Sequence, residues 1–326
     1  MYKLNSLQYP NIETTSLDDS YSLEPLKNND EFKLLTDEFK KEFGYESLNS
    51  FSFTKDGFLA LMIELNGSIA ISKGECEAIR LAGKLYEKLG NSVSWISLTK
   101  DGKVDLKECK NLKADYFFVS SYVMDTFVKT NLEKVKEVTS AKLISNCSAN
   151  KYAKFADMIL FDAYKLTGYG TCGVVLYSGD VLNEQYAGET DALGINLIYQ
   201  ALKNQTFETK NRDEFITVLK EEFKDDLYFF VEPESTLPYN LHFGLKDIKA
   251  REIIRTLSLN DIYVTNGEGC SLGLSRPSQV IQDMGYEESE SRWALSLTFT
   301  KDHSSDEIEK IVKTMSRKYR QIKALS

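Results

Sequence analysis

Between Ser68 and Tyr177 short apolar runs alternate with longer amphipathic ones, and this restricts the fold more than any other feature of the 326-residue chain. The pattern predicts strand 68–71, helix 75–89 closed by Gly90, strands 93–98 and 116–121, helix 132–138, and strands 142–145 and 158–161. Strands taking turns with helices imply an α/β fold, with a mostly parallel sheet covered on both faces. Residues 174–177, returning through a glycine-punctuated turn, are expected as an antiparallel neighbour of the strand before Lys165.

The flanks complete this plan. Residues 1–28, polar and carrying Pro10 and Pro25, read as an arm lying over the surface. Asp30 then caps a helix whose Phe32, Leu35, Phe39 and Phe43 recur at helical spacing before Gly44 ends it. Strand 51–54 leads through Lys55-Asp56-Gly57 into an apolar helix, 58–65, and such a strand-turn-helix junction is where α/β folds bind phosphate. After helix 190–202 the polar run Lys203-Asn-Gln-Thr206 marks a boundary between a large α/β domain (29–203) and a smaller α+β domain (204–326). The smaller domain reads as helix 212–223, strands 227–231 and 240–245, helix 247–259, strand 262–265, helix 277–284, strand 292–300 and a last helix from Ser305.

Charge narrows the function classes. A net charge of −9 without a basic stripe argues against nucleic acid and against anionic membrane surfaces. No run approaches the ~20 apolar residues needed to span a bilayer, and the expectation is a cytoplasmic protein. Cys76, Cys109, Cys147, Cys172 and Cys270 are odd in number and widely spaced, so they read as free thiols rather than a disulfide framework or a zinc site. His242 and His303 are too far apart in sequence to suggest a metal cluster or a Ser-His-Asp triad.

The apolar run Met158-Ile-Leu-Phe-Asp-Ala-Tyr-Lys165 ends in a single lysine, followed by Gly168 and Gly170. A lysine at the lip of a sheet is either a solvated loop residue or a partly desolvated amine. Desolvation lowers its pKa and suits it to Schiff-base chemistry.

Several segments carry a resemblance. Val264-Thr-Asn-Gly267-Glu-Gly-Cys270-Ser, continuing to Pro277-Ser278-Gln-Val280-Ile-Gln-Asp-Met284-Gly285, is similar to the Gly-x-x-Cys loop and Pro-Ser-x-Val helix of cysteine desulfurases and selenocysteine lyases. These belong to the class V aminotransferase group of fold type I pyridoxal-phosphate (PLP) enzymes. Asp101-Gly-Lys-Val-Asp105-Leu resembles their Asp-Gly-Arg-Val-Asp-Leu, Leu237-Pro238-Tyr-Asn240-Leu their Leu-Pro-Asn-Thr-Leu, and Gly188-Glu-Thr190-Asp191 their Gly-Thr-Glu-Asn. Asp162-Ala163-Tyr164-Lys165 stands where they have Ser-Ala-His-Lys. The likeness runs from Phe51 onward.

The resemblance implies a fold type I large domain, PLP on Lys165, and Cys270 as the thiolate that takes sulfur from a substrate cysteine, leaving a persulfide and alanine. It also implies a homodimer with shared pockets, an amino acid substrate and a sulfur-accepting protein partner. The surrounding residues depart from the family. Asn146 matches the aspartate at the ring nitrogen, Cys76 the ring-stacking histidine and Asp162 a phosphate-binding serine. Thr54, Lys55, Asp56 and Gly57 occupy the phosphate turn, with Thr167 and Thr190 as further hydroxyls. The carboxylate-clamping arginine is replaced by Ala294, and Arg292 is expected on the same strand face. Three readings follow: a PLP-dependent cysteine desulfurase-like enzyme, a catalytically degraded paralogue acting as scaffold or sulfur carrier, and a class V aminotransferase acting on another amino acid.

Overall fold

The computed structural model describes residues 1–5, 30–151, 154–168, 170–179, 181–182, 190–266 and 276–325. After a two-residue strand β1 (Tyr2–Lys3), the chain builds a seven-stranded sheet from β2 (Ser47–Ser52), β3 (Ile69–Ser72), β4 (Val93–Ile96), β5 (Tyr116–Phe118), β6 (Lys142–Asn146), β7 (Met158–Asp162) and β8 (Cys172–Tyr177). Its order is β2-β8-β7-β6-β5-β3-β4. The pairs from β4 through β7 are parallel. β8 runs antiparallel to both β7 and β2, with Phe161 opposite Val174 and Asp162 opposite Gly173.

Alternating side chains divide the sheet's apolar residues between two cores. Ile159, Phe161, Val174 and Leu176 face a layer that includes Phe39 of α1 (Asp30–Phe43) and Ile195, Ile198 and Tyr199 of α7 (Ala192–Asn204). Met158, Leu160 and Val175 face the opposite layer, with Phe58, Leu61 and Met62 of α2 (Lys55–Leu65) and Ile79 and Ala82 of α3 (Glu77–Lys88). Burial on both faces is why these strands read as continuous apolar runs. Shorter helices complete this part: α4 (Leu106–Lys110), which the sequence pattern did not predict, α5 (Leu132–Val138) and α6 (Ala163–Thr167).

The C-terminal part holds a three-stranded antiparallel sheet, β12-β10-β9, made from β9 (Leu227–Tyr228), β10 (Asn240–Leu245) and β12 (Ala294–Thr298). Against it lie α8 (Asn211–Phe223), α9 (Ala250–Ser258) and α12 (Ser305–Lys323), whose apolar faces share one core with Phe243, Leu295 and Leu297. α10 (Gln279–Asp283) and α11 (Glu288–Ser291) connect β11 (Ile262–Tyr263) to β12.

Two expectations need correction. Residues 1–5 are not a surface arm: β1 pairs in parallel with β11, and Leu4 is fully buried among the residues of the C-terminal core. One apolar side chain and an open strand edge are enough to fix the segment, since Leu4 O accepts from Thr298 N at 2.9 Å. The last strand also begins later than the predicted 292. A capping box between Glu287 and Glu290 starts α11 and places Arg292 at its C-cap, outside β12.

His242, on the central strand β10, is buried with no hydrogen-bond partner for either ring nitrogen among the described residues, and burial pushes its pKa down to about 3. The unfolded chain therefore binds a proton below the ordinary 6.5 that the folded chain refuses until about pH 3. Stability from this residue is complete above the unfolded pKa and falls as pH drops through the window, by ~1.4 kcal/mol per pH unit. A His242→Leu variant is expected to flatten the dependence of the urea midpoint on pH between 6 and 4. An unchanged slope would assign acid sensitivity to other groups.

Candidate active site

Lys165 projects from the single turn α6, at the end of β7. Asp162, the last residue of β7, caps this turn by accepting from Tyr164 N at 2.9 Å, and Ser148 Oγ accepts from Asp162 N at 2.8 Å. Gly168, at φ 85°, ends the turn and donates its N–H to Tyr164 O at 2.8 Å. The lysine is thus held on a short helix and not in the open loop that its glycines suggest.

The residue is 8% exposed, with Nζ 5.8 Å from the ring centroid of Tyr122 and 5.6 Å from that of Phe127. The two rings are parallel to within 2°. Burial lowers the lysine's pKa from its ordinary 10.5, against the opposing pull of Asp162, Cys76 and Asp125. Burial likewise raises the carboxyl of Asp162, which the lysine's charge holds down. The stretch behind the rings is strained, because Asp125 and Phe127 are non-glycine residues at φ 63° and 58°. The Tyr122 hydroxyl is buried with no hydrogen-bond partner among the described residues.

Asp125 is fully buried and accepts from Ser278 Oγ, 2.6 Å away, at the N-cap of α10. This contact spans 153 residues of sequence and gave no signal in it. Cys76, half-buried at the N-cap of α3, and Asp125 line a cavity of ≈ 390 Å³ together with Glu75, Arg80 and Arg276. Lys165 itself does not line this cavity, although the charges of Cys76 and Asp125 act on it. Glu75 is buried, accepts from Ser120 N and, at 2.7 Å, from Ser120 Oγ, and burial pushes its carboxyl up to about 7. Arg80 pairs with Asp283 at 2.6 Å. Arg276, 70% exposed in its side chain, pairs with Glu77 at 4.0 Å.

Asn146 ends β6 with its amide orientation fixed. Ser148 N can only donate, so the atom that it meets at 3.0 Å is the amide oxygen, which Ser148 Oγ also reaches at 2.7 Å. What Asn146 has left for a ligand is its N–H₂.

Most of the residues expected at the phosphate end are engaged within the chain or acidic. Thr54 caps α2 by accepting from Gly57 N at 3.3 Å and shares a hydrogen bond with Ser52 Oγ at 3.1 Å. Lys55 pairs with Asp56 at 3.1 Å. Thr167 donates within its own turn to Ala163 O at 2.7 Å. Thr190 is exposed and precedes Asp191, which caps α7 by accepting from Gly194 N at 2.7 Å. Three helix starts therefore carry their own side-chain caps, two of them carboxylates. Near a protein surface two like unit charges 4 Å apart repel by about 4 kcal/mol, so a further anion is disfavoured there.

Arg292 does not join this group. It bonds Glu288 at 2.6 Å and lines a small neighbouring cavity that shares Arg276 and Pro277 with the one beside Cys76, because α11 replaces the expected start of the strand. Cys270 and Gly267 lie outside the described residues, as does Gly188.

No protein-family model matches the chain. The cysteine desulfurase IscS of Buchnera aphidicola subsp. Schizaphis graminum (strain Sg) is 20% identical over 294 residues, covering 79% of this chain and 71% of that protein. Among solved structures, a NifS-like protein superposes with a TM-score of 0.79 at 14% identity, covering 97% of this chain and 98% of its own. The cysteine desulfurase CsdA of Escherichia coli (S-sulfonic acid) gives 0.73 at 11% identity, with 98% and 95% covered. These superpositions show the fold: the chain has a class V aminotransferase-like fold, shared with the NifS-like protein and with the cysteine desulfurase CsdA.

Proposed function

We propose that the chain is a cysteine desulfurase-like protein that keeps Lys165 as a carbonyl-condensing amine. The observation that carries this reading is the burial of that amine beside the rings of Tyr122 and Phe127, which lowers its pKa and leaves part of it uncharged near neutral pH. An uncharged Nζ adds to an aldehyde or ketone carbon. Loss of water then leaves the carbon joined to nitrogen by a double bond. Asp162, adjacent and of raised pKa, is placed to hold and return the proton. Arg276, which lines the cavity beside Cys76, suits an amino acid carboxylate that replaces its present partner Glu77. The resemblance supports cysteine as substrate, Cys270 as the sulfur acceptor, a protein partner for the sulfur and a homodimer.

The residues fit PLP in part only. Lys165 suits its aldehyde, and the N–H₂ of Asn146 suits an unprotonated ring nitrogen better than a pyridinium. The phosphate end does not match, because Asp162, Asp56 and Asp191 stand around self-capped helix starts. PLP as a whole is therefore not a fit for these residues.

A second reading is favoured by those same carboxylates: a catalytically degraded paralogue that keeps the fold as a scaffold. Incubation of the purified protein with small aldehydes, borohydride reduction and peptide mapping separates the two. A reduced adduct on Lys165, absent from Lys165→Arg, supports the amine. A chain that gives no adduct there belongs to the second reading.

A further inference from the structure

Resting on the proposed amine role of Lys165, we infer that its surroundings take a carbonyl ligand that carries no phosphate, with the Asp162 carboxylate at the position that the resemblance gives to a phosphate-binding serine. A phosphate needs free N–H donors, hydroxyls or unpaired cations. Around α6 the Tyr164 N–H is taken by Asp162 at 2.9 Å, and Asp162 is itself fixed by Ser148 at 2.8 Å. At α2 the Gly57 N–H is taken by Thr54 at 3.3 Å, and at α7 the Gly194 N–H by Asp191 at 2.7 Å. The Lys55 amine already meets Asp56 at 3.1 Å.

Asp162 also does for Lys165 what a phosphate would do. It supplies a nearby negative charge from the first position of the lysine's own turn, and this charge opposes the effect of burial on the amine. A ligand with a neutral or cationic group at that end leaves the arrangement intact. A phosphate would have to displace the cap or protonate it.

The test compares two aldehydes with the same ring: PLP and 5′-deoxypyridoxal, which lacks the phosphate and cannot close a hemiacetal. Each is titrated into the full chain, reduced with borohydride and mapped by mass at Lys165. Deoxypyridoxal is expected to half-saturate Lys165 at a concentration at least ~10-fold lower than PLP, a floor that needs only part of the repulsion between two like charges near a protein surface. Asp162→Asn keeps the helix cap while removing the charge, and it is expected to bring the two ligands to comparable concentrations. Asp56→Asn, on the exposed first turn of α2, provides a second variant with the same expected direction. The inference is overturned if PLP labels the wild-type lysine as readily as deoxypyridoxal, or if neither variant changes the ratio. A chain in which neither aldehyde reaches Lys165 removes the amine reading and this inference with it.

Discussion

Gly57→Ala is expected to destabilise the chain by about 3 kcal/mol, read as a lowered urea midpoint at unchanged slope. A Cβ added at Gly57 would meet the Ser52 carbonyl oxygen at 1.8 Å and the Ser52 carbonyl carbon at 2.7 Å. Both are backbone atoms of β2, so no side-chain rotation relieves the contact. The first turn of α2 would have to lift away from the strand, taking the Thr54 cap and the Phe58 packing with it. Gly90→Asn is the control. It has nothing within 4 Å at a left-handed φ of 92°, and it should lose no more than about 1 kcal/mol. If the two substitutions behave alike, the close approach of α2 to β2 does not set this junction.

The second large effect is expected in the pH dependence of Lys165 reactivity. With formaldehyde and a mild reductant, Lys165 should be modified at least ~10-fold faster than exposed lysines near pH 7.5, because each unit of lowered pKa raises the uncharged fraction tenfold at fixed pH. The sign follows from burial. The folded chain holds Lys165 below its unfolded 10.5, so the uncharged amine appears as pH rises through the lower, folded value. Across the window between the two values the unfolded chain binds more protons, so this residue's contribution to stability increases with pH. Asp162→Asn should shift the reactive window to still lower pH, since Asp162 is the largest of the influences that keep the lysine charged. Labelling of Lys165 no faster than that of exposed lysines would show a solvated amine and sink the proposed role.

Much of the fold was legible because the cues were local. Helix 132–138 and strand 240–245 match α5 and β10 residue for residue, since period and flanking polar residues mark both. The antiparallel return at β8 was readable from its glycine turn and β-branched run. The start of β12 was not, because the capping box of α11 sits in a polar segment that reads equally well as strand approach. That one difference moved Arg292 from a strand face to a helix end, where it bonds Glu288. The burial of Leu4 was also invisible, because a two-residue strand has no period to detect.

The sequence by itself determined the alternation that builds the sheet and the place of Lys165 at the end of a buried strand. Both depend on neighbours within a few residues and on side-chain period. Only the tertiary structure decided the lysine's chemical state. Tyr122 and Phe127 exclude water from it, Asp162 turns back to cap its helix, and Asp125 is held in place by Ser278 from far along the chain. Charge and desolvation act through distance in space, so residues remote in sequence set whether that amine carries its proton.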